Sequence, residues 1–481
     1  MLFRQKGYVV TGSDTTFDPP IGPALKEAGV ICLEGFDPKR CGPGEFSVGS
    51  ESLASPDLIV VGNAIRKDNL EAAFIRENKL PAMAMSEAIR HHFLVGRTPL
   101  VVAGTHGKTT TSALAAWLLH EAGLEPGFFI GGLPKNFDSG AKIGSTKRKL
   151  VETSAGPSAG PPPFVLEGDE YDAVYWKKEP KFFDYIGVSE RDVVLLTNIE
   201  HDHIDIYPDE AAYIRVFEEL VKRVPPQGRI VADASWKHVV EVCKHARCEV
   251  SYYALEGDKT YGITPTWLGV PLPSSGEMQS FELFGAGTHF GKFEMRIPGV
   301  HNVRNAIGAL AASAEGFHAP VPTLRKALAR FEGVRRRQDL LGTPGGVFLY
   351  DDFAHHPTAV VETLKALRAK HPAGKLFAVF EPRSATACRS IHQNDYAHAF
   401  GVADRVLFAP LGRSNIPEAE RLDLVKLARA IGTKAVATGG IEEIISTVVS
   451  EAKEGDTVAL LSNGAFGGIH KTLLARLESK S

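Results

Sequence analysis

A lysine and a threonine that directly follow a glycine can hold phosphate and its counter-ion, and Gly104-Thr105-His106-Gly107-Lys108-Thr109-Thr110 offers that arrangement. Glycines let backbone N–H groups come close to phosphate oxygens, and a helix that starts there favours negative charge at its N-terminus. Lys108 is the candidate for the β- and γ-phosphates of ATP and Thr109 for a Mg2+ ligand, with Gly104, Thr105, Gly107 and Thr110 completing the cradle. The full G-x-x-x-x-G-K-[ST] pattern is not met, because Val102 stands where its first glycine belongs. A chance glycine turn beside a surface lysine is the competing reading. A second cluster, Glu167-Gly168-Asp169-Glu170, offers hard carboxylate oxygens to the cation, although acidic strand ends are more often simply solvated. His201-Asp202-His203 carries the same ambiguity.

Further along, Gly299-Val300-His301-Asn302-Val303-Arg304-Asn305 puts amide side chains at a predicted helix start, where they either cap it or meet a nucleotide. Arg335-Arg336-Arg337 is a solvated basic run or a source of guanidinium charge beside a transferring phosphoryl group. Asp351-Asp352-Phe353-Ala354-His355-His356-Pro357 joins a predicted strand to a helix, with Pro357 suited to the first turn. Arg383 in Glu381-Pro382-Arg383-Ser384, and Ser462 and Asn463 ahead of a glycine-rich run, end predicted strands and read as walls of a substrate pocket. Ser13 and Asp14, and Asn63, likewise follow predicted strands, at the carboxyl edge where ligands usually bind.

These residues need a scaffold, and short apolar runs alternate with helical patterns along the chain, the mark of α/β layering around mostly parallel sheets. Three units are expected, over 1–97, 98–336 and 337–481, the first and last Rossmann-like. In the first, strands are predicted over 8–11, 29–33 and 58–61. The second opens on a strand over 100–103 and a helix over 108–120. Strands over 164–166 and 193–197, a helix over 209–223, a strand over 229–232 and helices over 303–315 and 321–331 follow. The third has a strand over 347–350, a helix over 357–370 and strands over 376–380 and 458–461. The stretch 143–163, rich in Ser, Gly, Lys and Pro, reads as a surface loop.

The 481 residues exceed what one core usually supports. A net charge of −3 provides no basic field for nucleic acid or a membrane surface, so any phosphate site is local. Five scattered cysteines argue against a disulfide framework and predict a reducing cytoplasm. Cys243 and Cys248 flank His245, but no second ligand pair follows at zinc-finger spacing. No apolar run reaches the roughly 18 residues of a membrane span, so a soluble protein is expected. The sequence does not set the oligomeric state, for which a monomer is the expectation.

Taken in order, GTHGKTT, EGDEYD, NIEHDHIDIYP, GVHNVRNA, RRRQD and DDFAHHPT resemble the successive motifs of the Mur ligases over nearly the whole chain. The resemblance implies a UDP-sugar domain, a central phosphate-loop ATPase domain and a C-terminal domain that brings an amine. It further implies Lys108 on the phosphates, Thr109 and Glu167 as Mg2+ ligands, and His203 near a second ion. His301, Asn302, Asn305, Arg337, Asp352 and His355 would line the ATP site. Many relatives carry a carbamylated lysine where Glu218 stands here. The family's first strand and glycine-rich loop are expected upstream of Met1, since residues 1–5 resemble the helix that follows them.

Two branches share DDFAHHP-like sequence. One adds L-alanine to UDP-N-acetylmuramate, and the other adds the murein tripeptide L-Ala-γ-D-Glu-meso-diaminopimelate in peptidoglycan recycling. FFIGGLPKNF, EGDEYD, KFFDY, EPRSATA and SNGAFGGIHKTLL resemble the tripeptide-adding branch. Arg383, whose planar fork suits a carboxylate, is the candidate for the tripeptide. The alternatives are the L-alanine-adding ligase and a nucleotide-binding module without ligase activity.

Overall fold

Strand Thr98–Ala103 is buried along its whole length, and its side chains alternate between two cores. Leu100 and Val102 join one, with Val193 and Leu195 of strand Val193–Leu196; Val101 and Ala103 join the other, with Val194 and Leu196. Apolar residues on both faces are what a parallel strand covered by helices on either side requires. The structure is a computed structural model that describes residues 1–481 except 20, 49–50, 138, 148, 154–155, 276–277 and 481.

These two strands lie near the middle of a ten-stranded sheet. Helices Lys108–Glu121 and Val300–Phe317 fill one side of it, and Glu210–Arg223 and Lys237–Cys243 the other. Helix Glu210–Arg223 shows why such a segment is helical. The Asp209 carboxylate caps it by accepting from the Ala212 N–H at 2.7 Å, Glu210 opens it, and Lys222 and Arg223 close it, which matches the helix dipole. Its Tyr213, Phe217, Leu220 and Val221 form one buried face; truncating Phe217 to alanine would cost about 3–5 kcal/mol.

The predicted strands and helices of this unit occur at or near the expected positions, but the sheet is larger than predicted. Strands Glu249–Leu255, Trp267–Ser275, Met278–Gly285 and Thr288–Met295 extend it, the last three as an antiparallel meander. Glycine and proline inside those strands hide their alternation in the sequence. The stretch read as a surface loop contains strands Lys149–Thr153 and Gly156–Gly160, paired antiparallel. Gly156–Gly160 carries the glycine, proline and small residues that suggest a loop, and backbone pairing with Lys149–Thr153 tolerates them.

Residues 339–461 hold a six-stranded sheet, parallel apart from its first edge strand Asp339–Gly342. Its central strands Phe348–Asp352, Thr457–Leu461 and Leu376–Phe380 end together, and helix Pro357–Lys370 follows the first of them. Strand Arg405–Phe408 and strand Ala435–Ala437, which the sequence pattern did not single out, complete it.

In the N-terminal unit strand Thr11–Asp14 pairs in parallel with Ile31–Glu34, and Ile59–Val61 with Ala82–Ala84. The first strand thus starts later than residues 8–11, leaving Tyr8 and Val9 exposed. Helix Leu2–Gln5 sits against the middle unit: Leu2 joins its core, and the Gln5 amide donates to Ala141 O and accepts from Ile143 N.

Between the middle and last units, residues 133–135 run beside 333–335. Lys135 N donates to Gly333 O, Arg335 N to Leu133 O, and Lys135 Nζ is 2.6 Å from Asp339. Directly after this tie, Arg336 and Gln338 take positive φ, 62° and 46°. Among the described residues no helix is long and apolar enough to cross a membrane.

Candidate active site

The turn after strand Thr98–Ala103 needs its glycines. Gly104 has φ +133°, and a Cβ there would lie 2.3 Å from Thr197 Oγ1 and 2.7 Å from Asn198 O; at Gly107, φ +81°, it would lie 2.6 Å from Asn305 Oδ1. The loop between them is fastened from below. His106 N donates to Asn198 Oδ1, and His106 O accepts from Thr197 Oγ1 and Asn198 Nδ2. Helix Lys108–Glu121 has no side-chain cap at its start, which leaves the N–H groups of its first turn without a side-chain acceptor, as an anion-binding helix start requires. Val102, the departure from the phosphate-loop pattern, is an ordinary core residue.

Lys108 folds back over this loop. Its ammonium donates to Gly104 O at 2.6 Å and Thr105 O at 3.1 Å, and sits 3.1 and 3.0 Å from the two carboxylate oxygens of Glu170. Glu170 is fully buried and also accepts from Tyr213 OH at 3.0 Å and pairs with His203 Nε2 at 2.9 Å. Burial opposes its charge, yet Lys108 and His203 outweigh burial and hold the carboxyl down at about 2. Burial likewise works against the Lys108 and His203 cations, and Glu170 more than compensates in both, raising them.

A second set of contacts lies one residue along the helix. Thr109 Oγ1 donates to Glu167 Oε1 at 2.8 Å, and the other Glu167 oxygen accepts from Gly131 N at 2.7 Å. Arg337, from the segment that joins the middle and last units, donates through Nη2 to Thr109 Oγ1 at 3.0 Å. Burial lowers the Arg337 pKa and Asp352 partly restores it, while its guanidinium lies over the Phe353 ring. Burial raises the Asp352 carboxyl, which Arg337 and the N–H groups of Gln338 and Ala354 counter, these two donating at 2.6 and 2.7 Å.

A cleft of about 1160 Å³ opens between the middle and last units. Of the expected nucleotide residues, Gly107, Thr110, His301, Asn302, Asn305, Arg337 and Asp352 line it. Asn302 and Asn305 bond to each other at 3.2 Å, and burial pushes His301 down to about 4, so its imidazole is neutral. Gly104, Thr105, Lys108, Thr109, Glu167 and His203 stand outside the lining and reach it through the loop and through Arg337. His355 is half-buried near Asp202 and His203; loss of hydration lowers its pKa, and its Nδ1 is 3.1 Å from Phe353 O.

The remaining candidates do not join this cluster. Ser13 Oγ donates to Glu71 at 2.8 Å and accepts from Arg40 at 3.1 Å, Asp14 accepts from Thr15 N, and Asn63 lies in the turn after Ile59–Val61. Arg383, Ser462 and Asn463 gather at another edge, where the Arg383 stem crosses Gly464 so closely that a Cβ there would be 2.1 Å from it. Ser462 Oγ donates to Glu381, which is 3.5 Å from Arg383.

Sequence reasoning missed Glu170, the centre of the Lys108 network, although it belongs to the quoted EGDEYD. Its burial depends on Tyr207 and Tyr213, more than thirty residues downstream, whose approach no local spacing reveals. Gln338 and Glu200, which also line the cleft, were missed for the same reason.

Three consecutive stretches match family models described as Mur ligase family, catalytic domain (1–94), Mur ligase middle domain (102–313) and Mur ligase, glutamate ligase domain (336–464). The UDP-N-acetylmuramate–L-alanyl-γ-D-glutamyl-meso-2,6-diaminoheptandioate ligase of Escherichia coli (strain K12) is 34% identical over 485 residues, which covers 100% of this chain and 95% of that one. The chain belongs to the Mur ligase family. A UDP-N-acetylmuramate–L-alanine ligase of Roseiflexus sp. (strain RS-1) is 30% identical to this Mur ligase, over 96% of this chain and 92% of its own. The crystal structure of a murein peptide ligase from Psychrobacter arcticus 273-4 superposes with a TM-score of 0.69 at 29% identity, covering 99% of this chain and 95% of that one. The relative named for the tripeptide is thus the more similar of the two, as FFIGGLPKNF and EPRSATA lead one to expect.

Proposed function

We propose that this Mur ligase uses ATP to join UDP-N-acetylmuramate to L-Ala-γ-D-Glu-meso-diaminopimelate, as a cytoplasmic step of peptidoglycan recycling. The observation that carries the catalytic reading is the hydrogen bond from Arg337 to Thr109, which brings a guanidinium from the edge of the last unit onto the phosphate helix. Likeness along the whole chain to the Escherichia coli enzyme supports the tripeptide as the amine. In this reading 1–97 takes the sugar nucleotide with Ser13, Asp14 and Asn63, 98–336 takes ATP, and 337–481 brings the tripeptide with Arg383, Ser462 and Asn463.

The lactyl carboxylate attacks the γ-phosphorus of ATP; ADP leaves and an acyl phosphate forms. Lys108, the amides at the start of helix Lys108–Glu121 and Arg337 neutralise charge on the transferred phosphoryl oxygens, an electrostatic task that needs no covalent help from the protein. The tripeptide α-amine then attacks the acyl carbon, and phosphate departs as the amide forms. His355 is suited to take the amine proton: burial keeps it neutral, and with Nδ1–H donated to Phe353 O its Nε2 lone pair is free.

The oxygen donors of Thr109 and Glu167, 2.8 Å apart, fit Mg2+, and His203, once it gives up the proton it shares with Glu170, would offer a ring nitrogen to a second ion. Bound there, Mg2+ would add positive charge beside the phosphates.

Phosphate release from ATP, Mg2+ and UDP-N-acetylmuramate tests the reading, with tripeptide and L-alanine compared as amines. Tripeptide-dependent turnover supports it. Dependence on L-alanine would transfer the assignment to the alanine-adding reaction, and ATP binding without turnover on either amine would leave a nucleotide-binding module.

A further inference from the structure

A cluster that the ligase reaction leaves unused lies where the phosphate loop meets the last unit. His106 Nε2 is 2.7 Å from Glu200 Oε2, and His356 Nδ1 is 3.7 Å from the same oxygen. One donor atom from each of the three residues lies within 4.8 Å of the others. His356 is 4% exposed, and neither of its ring nitrogens has a hydrogen-bond partner. Two buried imidazole nitrogens without partners are costly unless something else takes up a lone pair. A tilted ring contact with His106 at 4.8 Å and an edge-on one with His392 at 4.7 Å pack the imidazole without satisfying either nitrogen.

We propose that His106, Glu200 and His356 form a binding site for a divalent transition metal of the Zn2+ type, bridging the phosphate loop and the start of helix Pro357–Lys370. Two imidazoles and a carboxylate are a donor set that Zn2+ takes at about 2.0–2.2 Å per bond, with a fourth position left to water. It is unlike the all-oxygen pair Thr109 and Glu167, which suits a harder ion. Each donor is held beforehand. The His106 backbone is fixed by Asn198 and Thr197, and Thr105 Oγ1 bonds both the N–H and the carbonyl of Glu200. The second Glu200 oxygen accepts from Thr358 Oγ1 at 2.9 Å, an outer contact of the kind that orients a metal-binding carboxylate.

Two of the donors, His106 and Glu200, belong to the middle unit and one to the last, so the metal would fasten the two units next to the phosphate cradle. The test uses the full chain without nucleotide, titrated with Co2+ alone and followed by its visible d–d absorption. A tight equivalent is expected in the wild type. Its affinity should fall at least as far as when an outer-shell partner is removed, about 10–100-fold, in His356→Phe and in Glu200→Gln. It should persist in Cys243→Ser and in His203→Gln. Absence of a tight equivalent, its survival in both His356→Phe and Glu200→Gln, or its loss in Cys243→Ser or His203→Gln would overturn the site. Hydrogen exchange on the wild type answers the same question without any variant: Zn2+ should protect residues 104–108 and 355–359 together, and protection confined to other segments would refute the bridge.

Discussion

The phosphate loop and the edge around Arg383 are built on opposite plans. Lys108 is held by two carbonyls and a fully buried carboxylate that itself has a histidine and a tyrosine as partners, a network largely withdrawn from water. The Arg383 side chain keeps 45% of its surface exposed and has a single carboxylate at 3.5 Å. Preorganised charge accelerates a reaction because nothing has to rearrange as charge develops. A solvated guanidinium does the reverse: it exchanges its hydration for a carboxylate only where one fits its fork, and so discriminates between ligands. In the proposed reaction the first region would serve the chemistry and the second the choice of amine.

Lys108→Met should break the first region most severely, lowering kcat in the phosphate-release assay by roughly 10³-fold while tripeptide KM changes little. Next in size is a stability effect. Glu170→Gln leaves the Lys108 ammonium buried without its counter-charge, which should cost about 3–5 kcal/mol by denaturant unfolding at pH 7. The sign of its pH dependence follows from the depressed carboxyl. Its folded value is about 2 against an ordinary 4.5, so the stabilisation is complete above pH 4.5 and fades as pH falls toward 2. The gap between wild type and Glu170→Gln should therefore close over that window; a constant gap would mean that the charge is not what stabilises.

Arg337→Lys keeps the charge but loses the planar fork, and a drop in kcat of about 10²-fold is expected, with unfolding little changed. At the other region Arg383→Ala should raise the tripeptide KM by about 10–100-fold, the loss of one charge-assisted hydrogen bond, with kcat and melting temperature near wild type. Equal losses in kcat and in kcat/KM would erase the distinction between the two regions.

The sequence revealed the phosphate loop and helix Pro357–Lys370 well, because each is specified locally: a glycine that no other residue can replace, or a proline that opens a helix. Lys108 and Thr109 can be named for the same reason, whereas Arg337 is singled out of its run of arginines only by the resemblance to the Mur ligases. Glu170 and His356 could not be ranked above their neighbours Asp169 and His355, since what distinguishes them is burial created by distant tyrosines and by the facing loop. The meander over 267–295 escaped because Gly269, Pro271 and Pro273 interrupt its pattern, and antiparallel neighbours on both sides hold the central strand of the three together all the same.

The tie between 133–135 and 333–335 has a mechanical consequence. It anchors the chain up to Arg335, so any swing of the last unit must pivot in the next few residues, where Arg336 and Gln338 already adopt left-handed backbone that costs each of them about 1–3 kcal/mol. Points close to a pivot travel least. Arg337 sits on the hinge pin itself, and next to it Arg336 donates to the carbonyls of Ser462 and Gly464, which ties the pivot to the strand ends where Arg383 lies. Opening would therefore carry the far side of the last unit through a wide arc while the Arg337 guanidinium scarcely leaves its post on Thr109.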